Sequence, residues 1–320
     1  MDVYPLKFQP LYVEKIWGGR NLERLFAREL SDGALVGESW ELADLVDGVS
    51  LIANGPQQYH PITHLVERWG TALLGKAEPT PDGRFPLLLK LLDANAILSL
   101  QVHPDTKAAA EIGGGAARKM ECWYVVESRE GFLYKGFSSD VSEAQFRDAI
   151  IEDRSEEFVK RYDCQAGDFH YLPAGTVHAI GPGLLVAEIQ TPSNTTYRVT
   201  DWGRGRALQI NKSLQSTHFE PANDILPGAS GETLLVTDYF TVAKRTAAAG
   251  QTVATPIGEC VAIMLLSGRV DATHAGAIEP RVSSAAGETM LLPAGLTGAA
   301  LDVAEDATWL EITLPQTKEA

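Results

Sequence analysis

A nine-residue segment occurs twice in the chain. Gly167-Asp-Phe-His-Tyr-Leu-Pro-Ala-Gly175 recurs as Gly287-Glu-Thr-Met-Leu-Leu-Pro-Ala-Gly295, and each copy follows an apolar segment, 121–127 or 260–266. A self-similar segment of this kind indicates that one folding unit is used twice. The copies differ three residues after the last glycine, where the first has His178 and the second has Gly298. Only the first unit can therefore bind a metal through a histidine at this position.

Most of the sequence consists of short runs rich in Val, Ile, Leu, Tyr and Thr, separated by Gly, Pro, Asp and Asn. This pattern is typical of all-β sandwiches and barrels. Helices are predicted for about 61–74, 105–112 and 141–162, the last beginning with Ser142 and Gln145 at capping-box spacing. We therefore expect a mainly β chain with a boundary in the loop 221–231. A first domain of residues 1–220 would carry the helical insertions, and residues 221–320 would form a second domain.

The composition excludes several classes of protein. The chain has 320 residues, of which 45% are hydrophobic and 22% charged, as in soluble globular proteins. A formal net charge of −15 disfavours a nucleic-acid partner. The sequence has neither a signal-peptide pattern nor an apolar run of the ~18 residues needed to span a membrane, so we expect a cytoplasmic protein. Three widely spaced cysteines predict core thiols, with neither disulfides nor a thiolate zinc site.

Four polar residues have the spacing of a metal site. The segment 98–103 alternates polar and apolar residues, so a strand there places Ser99, Gln101 and His103 on one face. Glu121 opens the next apolar strand, and His178 follows the Pro-Ala-Gly turn. The alternative is an amphipathic strand with its polar face in water, together with unrelated core polar residues. Two imidazoles, one carboxylate and one amide oxygen suit Zn²⁺ and leave a position for water or substrate.

The same residues resemble the two cupin motifs. Gly167-x5-Pro173-x-Gly175-x2-His178 matches the second motif through its histidine, and Gln101-x-His103 followed by Glu121 resembles the first motif with Gln replacing the leading His. Another histidine, His170, could face either side of its strand and is left unassigned.

Two cations occupy unusual positions. Lys90 lies within the apolar run 87–92, where an ammonium is costly unless it reaches a pocket, a partner or the surface. A buried lysine suits proton transfer or phosphate binding. Arg198 lies in a predicted strand, from which its guanidinium could bind a substrate oxyanion or lie at the surface as a structural group.

Seven segments resemble the type I mannose-6-phosphate isomerases (phosphomannose isomerases) in their short bacterial form, and they follow the order of that family. Together they cover most of the chain. The segments are Lys15-Ile-Trp-Gly-Gly19, 37–42, 86–93, 98–105, 120–124, 173–178 and 187–202.

The resemblance implies two cupin-like (jelly-roll) β-barrels, of which the second is a non-catalytic domain. It also implies one Zn²⁺ per chain, a sugar-phosphate substrate and isomerisation between mannose-6-phosphate and fructose-6-phosphate. The residue roles that it implies are zinc ligation by Gln101, His103, Glu121 and His178, catalysis by Arg198 and Lys90, and a position near the substrate phosphate for Ser99.

An aldose-ketose isomerase must move a proton between C1 and C2 through a cis-enediol. The base is left open between Lys90, a water on the zinc and a carboxylate such as Glu188. Ser99, Lys90 and Lys212 are candidates for anchoring the phosphate. An Fe(II) cupin oxygenase and a non-catalytic sugar-binding bicupin are the alternative functions. The sequence does not distinguish a monomer from a homodimer.

Overall fold

The computed structural model describes residues 3–275 and 281–316, and most of its regular structure is strand. The strands in chain order are β1 (Leu6–Lys7), β2 (Leu11–Gly19), β3 (Val36–Leu42), β4 (Asp44–Leu45), β5 (Gly48–Val49), β6 (Leu88–Ala94), β7 (Leu100–Val102), β8 (Glu121–Ser128), β9 (Phe132–Phe137), β10 (Val159–Asp163), β11 (Phe169–Leu172), β12 (His178–Ile180), β13 (Leu184–Gln190), β14 (Tyr197–Thr200), β15 (Thr233–Val236), β16 (Thr241–Ala247), β17 (Thr252–Ala254), β18 (Val261–Thr273), β19 (Arg281–Ala285), β20 (Thr289–Leu292) and β21 (Ala300–Thr313). The helices are α1 (Asn21–Phe26), α2 (Ile62–Trp69), α3 (Thr71–Leu74), α4 (Thr106–Ile112), α5 (Glu143–Ile151) and α6 (Ile210–Ser216), with short 3₁₀ turns at Gly55–Gln57 and Ser155–Glu157.

Two antiparallel sheets make up most of the N-terminal half. One has six strands in the order β11-β8-β13-β6-β3-β2, and the other has five in the order β10-β9-β12-β7-β14. Both sheets contribute to one apolar cluster, in which Leu92, Trp123 and Val186 of the first meet Leu133 and Ile180 of the second. The space next to this cluster, between the sheets, contains the candidate site.

A third sheet of eight strands is built mainly from the C-terminal part of the chain. Its long strands β18 and β21 pair over most of their length. Strand β1 from the N-terminus joins the same sheet, because Leu6 pairs with Leu291 of β20. The N-terminal segment therefore ties the C-terminal sheet to the rest of the molecule.

The sequence repeat corresponds to a repeated strand pairing. In the first copy Leu172 lies opposite Glu121, and in the second copy Leu292 lies opposite Val261. A valine thus occupies the position that corresponds to Glu121. With Gly298 in place of the histidine, the second unit lacks two of the polar side chains of the first.

Helices α2, α3 and α4 lie within the predicted ranges 61–74 and 105–112, and α5 begins with the expected capping box of Ser142 and Gln145. The prediction of a helix as far as residue 162 was wrong. Helix α5 ends at Ile151, and Asp153 has a φ of 55°, in the left-handed region that a helix cannot continue through. The segment Val159–Asp163 forms a strand instead, because its side chains alternate between more and less buried positions and it pairs with β9. Among the described residues, no helix is both long and apolar enough to span a bilayer.

Candidate active site

A polar cavity of ≈ 250 Å³ lies between the two N-terminal sheets. Among the described residues that line it, five carry cationic side chains (Lys15, Lys90, Lys119, Arg198 and Arg206) and two carry carboxylates (Glu38 and Glu188). The chain as a whole has a formal net charge of −15, so this excess of cations is local. Such a cavity favours an anionic ligand.

A larger cavity of ≈ 530 Å³ lies between segment 77–86 and residues 314–316, but its walls are mainly apolar. The one cation among the described residues that line it, Arg118, already stacks on Tyr239. The described residues that line it include no histidine. The smaller polar cavity is therefore the candidate active site.

Strand register brings three of the predicted residues into one row. In the five-stranded sheet His178 of β12 lies opposite Gln101 of β7, and Gln101 lies opposite Arg198 of β14. His103 directly follows β7, and Glu121 begins β8 in the other sheet. Because side chains at paired positions share one face of a sheet, these groups project into the same interior space.

His103, Glu121 and His178 form a cluster in which the candidate ligand atoms lie within 4.8 Å of one another. All three side chains are buried. Nε2 of His178 lies 3.2 Å from Glu121 Oε1, and Nε2 of His103 lies 3.5 Å from Glu121 Oε2. The amide of Gln101 lies beside them, with Nε2 3.3 Å from His178 Nε2.

Backbone carbonyls fix the orientation of both imidazoles. Nδ1 of His103 lies 2.9 Å from the carbonyl oxygen of Thr195, and Nδ1 of His178 lies 2.9 Å from that of Thr176. A carbonyl can only accept, so Nδ1 donates in each case and Nε2 keeps its lone pair. Within the described part of the chain, His103 Nε2 and Glu121 Oε1 are buried without a hydrogen-bond partner, while Glu121 Oε2 lies 2.8 Å from the Lys119 ammonium. A cation that accepts these lone pairs would satisfy them, and the residues therefore fit a metal ion.

Charge and burial keep the cluster in the ionisation state that a metal requires. Burial, reinforced by the Lys119 ammonium, lowers the pKa of His103 to about 3, and burial also lowers the pKa of His178. Burial alone would raise the pKa of Glu121, but Lys119 and the two imidazoles outweigh it and hold that pKa well below its usual value. Neutral imidazoles and an ionised carboxylate result.

A chain of alternating charges follows the opposite wall. Lys90 Nζ lies 3.2 Å from Glu188 Oε1 and 3.5 Å from Glu38 Oε2, while Lys15 Nζ lies 2.9 Å from Glu38 Oε1. The Trp123 indole donates to Glu188 Oε2 at 3.0 Å. Burial would lower the pKa of Lys90, but Glu188 and Glu38 outweigh it and raise that pKa.

Two arginines define one side of the cavity. Arg198 Nη1 donates to the carbonyl of Ala207 at 2.8 Å, and its buried Nε has no hydrogen-bond partner among the described residues. Arg206 is held by Asp201, which accepts from its Nε at 2.9 Å. Burial and the neighbouring positive charge of Arg206 lower the pKa of Arg198. Positive charge is therefore concentrated here beyond what Asp201 neutralises.

With one exception, the predicted residues lie in the wall of this cavity or next to it. His103, Glu121 and His178 converge, and Gln101 lies beside them with its amide nitrogen toward His178. Lys90, Ser99, Glu188 and Arg198 line the cavity wall. Lys212 does not join them. It is exposed on α6 with its ammonium over the ring of Tyr197, which faces away from the cavity because Tyr197 and Arg198 alternate along β14.

Four charged residues that line the cavity were not predicted from the sequence: Lys15, Glu38, Lys119 and Arg206. A signal existed for Lys119, since it stands two residues before Glu121 and two-residue spacing places both on one face of a strand. Glu38 and Lys15 reach the cavity only because β2, β3 and β6 pair with one another, and the sequence does not specify this pairing.

Comparison with known proteins agrees with this geometry. Residues 6–131 match the family model of the catalytic domain of phosphomannose isomerase type I. Mannose-6-phosphate isomerase from Streptococcus mutans is 36% identical over 252 residues, which cover 75% of this chain and 78% of that protein. The chain belongs to the type I phosphomannose isomerase family. Mannose-6-phosphate isomerase ManA from Bacillus subtilis, another relative, is 34% identical over 262 residues, 76% of this chain and 80% of that protein.

Solved structures of phosphomannose isomerases share the fold. The mannose 6-phosphate isomerase from Bacillus subtilis superimposes with a TM-score of 0.86 at 27% identity, covering 96% of this chain and 99% of that one. A variant of the phosphomannose isomerase from Salmonella typhimurium gives 0.81 at 14% identity, over 98% of this chain and 100% of that one, a likeness of fold alone.

Proposed function

We propose that the chain interconverts mannose-6-phosphate and fructose-6-phosphate by proton transfer through a cis-enediol. The observation that carries this proposal is the buried cluster of His103, Glu121 and His178, with Gln101 beside it, next to a cavity rich in cations. An anionic sugar fits such a cavity. The relatives named above are mannose-6-phosphate isomerases, and the substrate in this proposal is taken from them.

The four clustered residues are proposed to hold one Zn²⁺ per chain. The unsatisfied His103 Nε2 and Glu121 Oε1 and the carbonyl-anchored Nδ1 atoms support this assignment. Zinc in this position would act as a Lewis acid that stabilises negative charge on a substrate oxygen. Imidazole and carboxylate ligands also suit Fe(II). Identifying the bound metal therefore distinguishes the isomerase from the oxygenase alternative.

Glu188 is proposed as the base that moves the proton between C1 and C2. Burial and the nearby charge of Glu121 raise the pKa of Glu188, which brings a carboxylate closer to the working range of a general base. Lys90 is a poorer candidate because its two carboxylate neighbours keep it protonated. We assign Lys90 the role of a donor that binds substrate oxygens and limits the rise in the Glu188 pKa.

The arginine side of the cavity is proposed to bind the anionic parts of the substrate. Arg198 would stabilise the charge of the enediolate, and the neighbouring Arg206, together with the Ser99 hydroxyl, would anchor the phosphate. Anchoring the phosphate orients the sugar for proton transfer. Lys212 is not needed for this role.

Two cupin-like barrels, residues 1–220 and 221–320, are proposed as the architecture, with the metal in the first only. The repeated pairing of Leu172 with Glu121 and of Leu292 with Val261 supports this division. A phosphorylated sugar does not cross a bilayer unaided, so a cytoplasmic location fits the substrate. The active form is proposed to be a monomer or a homodimer.

The test is conversion of mannose-6-phosphate to fructose-6-phosphate by the purified protein, before and after chelation and after Zn²⁺ is restored. His178→Ala and Arg198→Ala should each lose most activity. Arg269→Ala is the matched control, because Arg269 is exposed on β18 and pairs only with Glu305 among the described residues.

Turnover that is lost on chelation, restored by zinc and abolished in both site variants would support the proposal. A folded, zinc-loaded protein without turnover would contradict it and favour a sugar-binding protein. Bound iron with oxygen consumption would favour the oxygenase.

A further inference from the structure

A second cluster of potential metal ligands lies outside the candidate active site. Cys164, Asp168 and His170 offer ligand atoms that lie within 4.8 Å of one another. Cys164 Sγ is 3.8 Å from His170 Nε2, close to the ~3.6 Å separation that Zn–S and Zn–N bonds of ordinary length give at a tetrahedral angle. This cluster shares no residue with the cluster of His103, Glu121 and His178, and none of its residues lines the cavity between the sheets.

One short segment, residues 164–170, presents all three side chains, and the backbone holds it in place. The Cys164 N–H donates to the carbonyl of Gly131 at 2.9 Å, and the carbonyl of Asp168 accepts from the N–H of Val125 at 2.9 Å. The Asp168 carboxylate accepts from the N–H of Gln165 at 2.7 Å, which closes the turn. His170 follows in β11. Little conformational entropy would therefore be lost when an ion binds.

We propose that Cys164, Asp168 and His170 form a second metal site that takes a borderline divalent ion such as Zn²⁺. A thiolate, a carboxylate and an imidazole supply two negative charges and a soft donor, a set that suits zinc and leaves a fourth position open. Binding would transfer the thiol proton to solvent as the S–metal bond forms.

The surroundings are compatible with this charge. The nearby Lys135 ammonium would oppose a cation, but it is paired with Asp224 at 2.8 Å, and Lys160 pairs with the same carboxylate. Burial raises the pKa of Cys164 to about 12 in the metal-free protein, so the ion must displace a tightly held proton. We expect weaker binding here than at the cluster of the cavity.

The two clusters are neighbours but separate. His170 lies opposite Trp123 in the sheet, and the indole of Trp123 packs edge-on against His178 with 5.3 Å between ring centroids. One aromatic side chain thus separates the sites, and each can be removed without deleting a ligand of the other.

Cadmium titration of the chelator-treated, full-length protein tests the proposal. Cd²⁺ replaces zinc, and a thiolate ligand gives a sulfur-to-cadmium charge-transfer absorption in the ultraviolet. We expect two Cd²⁺ per chain by equilibrium dialysis and elemental analysis, with the charge-transfer absorption belonging to one of them. Cys164→Ser should bind one ion without this absorption, whereas His178→Ala should keep it.

Cys260→Ala is the control, since it removes a buried thiol next to the C-terminal sheet. It should retain both ions and the absorption. Asp168→Asn and His170→Ala, checked for folding by circular dichroism, should each weaken the absorbing site at least tenfold. One ion per chain without thiolate absorption in the unaltered protein would overturn the proposal, as would absorption that survives in Cys164→Ser.

Discussion

Lys90 Nζ and Glu188 Oε1 lie 3.2 Å apart, and both side chains are buried. Burial raises the pKa of Glu188, and the Lys90 charge opposes that rise. The pair therefore sets how easily the carboxylate ionises. Lys90 also contacts Glu38, which in turn pairs with the partly exposed Lys15. The pKa of Glu188 therefore depends on this whole chain of charges.

Replacing Lys90 by Met should shift the pH dependence of activity. The substitution removes the charge that lowers the Glu188 pKa, so this pKa should rise by about one unit or more. If ionised Glu188 is the base, the acidic limb of kcat/KM moves to higher pH by the same amount, and part of the lost activity returns at alkaline pH. Lys90→Arg keeps the charge and should leave the limb near its original position. An unshifted limb in Lys90→Met would exclude Glu188 as the base.

Lys119→Met should destabilise the metal-free protein more than the zinc-bound protein. Lys119 Nζ lies 2.8 Å from Glu121 Oε2, and both side chains are buried. Without the ammonium the carboxylate is left unpaired, at a cost of about 3 kcal/mol in the free energy of unfolding. Bound zinc would supply the missing positive charge and reduce this loss. Urea denaturation with chelator and with zinc measures both values.

Lys15→Met is the matched control for that experiment. Lys15 also pairs with a carboxylate, Glu38, at 2.9 Å, but its side chain is 32% exposed, against 5% for Lys119. An exposed pair contributes about 1 kcal/mol or less. Equal losses in the two variants, or a loss in Lys119→Met that zinc does not change, would contradict the assigned role of Lys119.

The proposed metal ligands could be predicted because each lies in a short segment whose own pattern indicates where its side chain points. Gln101 and His103 share a face by strand alternation, and His178 follows a turn whose residues are diagnostic. Glu38 could not be predicted in this way, since it reaches Lys90 only through the pairing of β3 with β6. Cross-strand register depends on the whole sheet, and a single sequence does not encode it in any short segment.

The two failures have related causes. The charged run after residue 151 has helical composition, yet tertiary pairing with β9 makes its last part a strand. Lys212 has the right charge for phosphate, but its ammonium lies over Tyr197 on the outer face of the five-stranded sheet. In both regions the composition shows which residues are charged. It does not show in which direction their side chains point.

The metal-free protein should lose stability as the pH falls below about 6.5. The folded-state pKa is lowered to about 3 for His103 and to about 4 for His170, and it is also lowered for His178. Since each depressed pKa lies below that of the unfolded chain, the unfolded state binds protons first. The stabilisation is complete above the unfolded pKa and is lost as the pH falls toward the folded values.

Each histidine contributes up to about 1.4 kcal/mol per pH unit within this window. Carboxylates with lowered pKa values, such as Glu38 at about 2, act mainly below pH ~4.5. Buried carboxylates with raised pKa values, such as Glu188 and Glu41, oppose the histidines between pH 6.5 and 5, so a histidine variant is compared with the unaltered protein in that interval. Urea denaturation in chelator across that interval measures the slope. His170→Phe should reduce the slope of the unfolding free energy against pH by up to the amount that corresponds to one bound proton. An unchanged slope in His170→Phe would show that the His170 imidazole is not buried in the neutral form.

Gly175→Ala should destabilise the protein and weaken metal binding together. Gly175 has a φ of 90°, and a Cβ there would lie 2.5 Å from the His218 ring. Its N–H donates to the carbonyl of His103 at 2.8 Å, so a shift of the turn moves a proposed metal ligand. Strain and clash together should cost about 2 kcal/mol or more in the free energy of unfolding.

Two further variants separate strain from clash. Gly250 has a φ of 84°, and a Cβ added there would meet no atom of the described residues within 4 Å. Gly250→Ala therefore carries the backbone strain alone and should cost about 1 kcal/mol without changing metal affinity. Adding His218→Ala to Gly175→Ala removes the clash. The double variant should regain the free energy of unfolding by which Gly175→Ala is less stable than Gly250→Ala. If the double variant recovers neither stability nor zinc affinity, the cost at Gly175 comes from the backbone, and the turn does not position His103 through this contact.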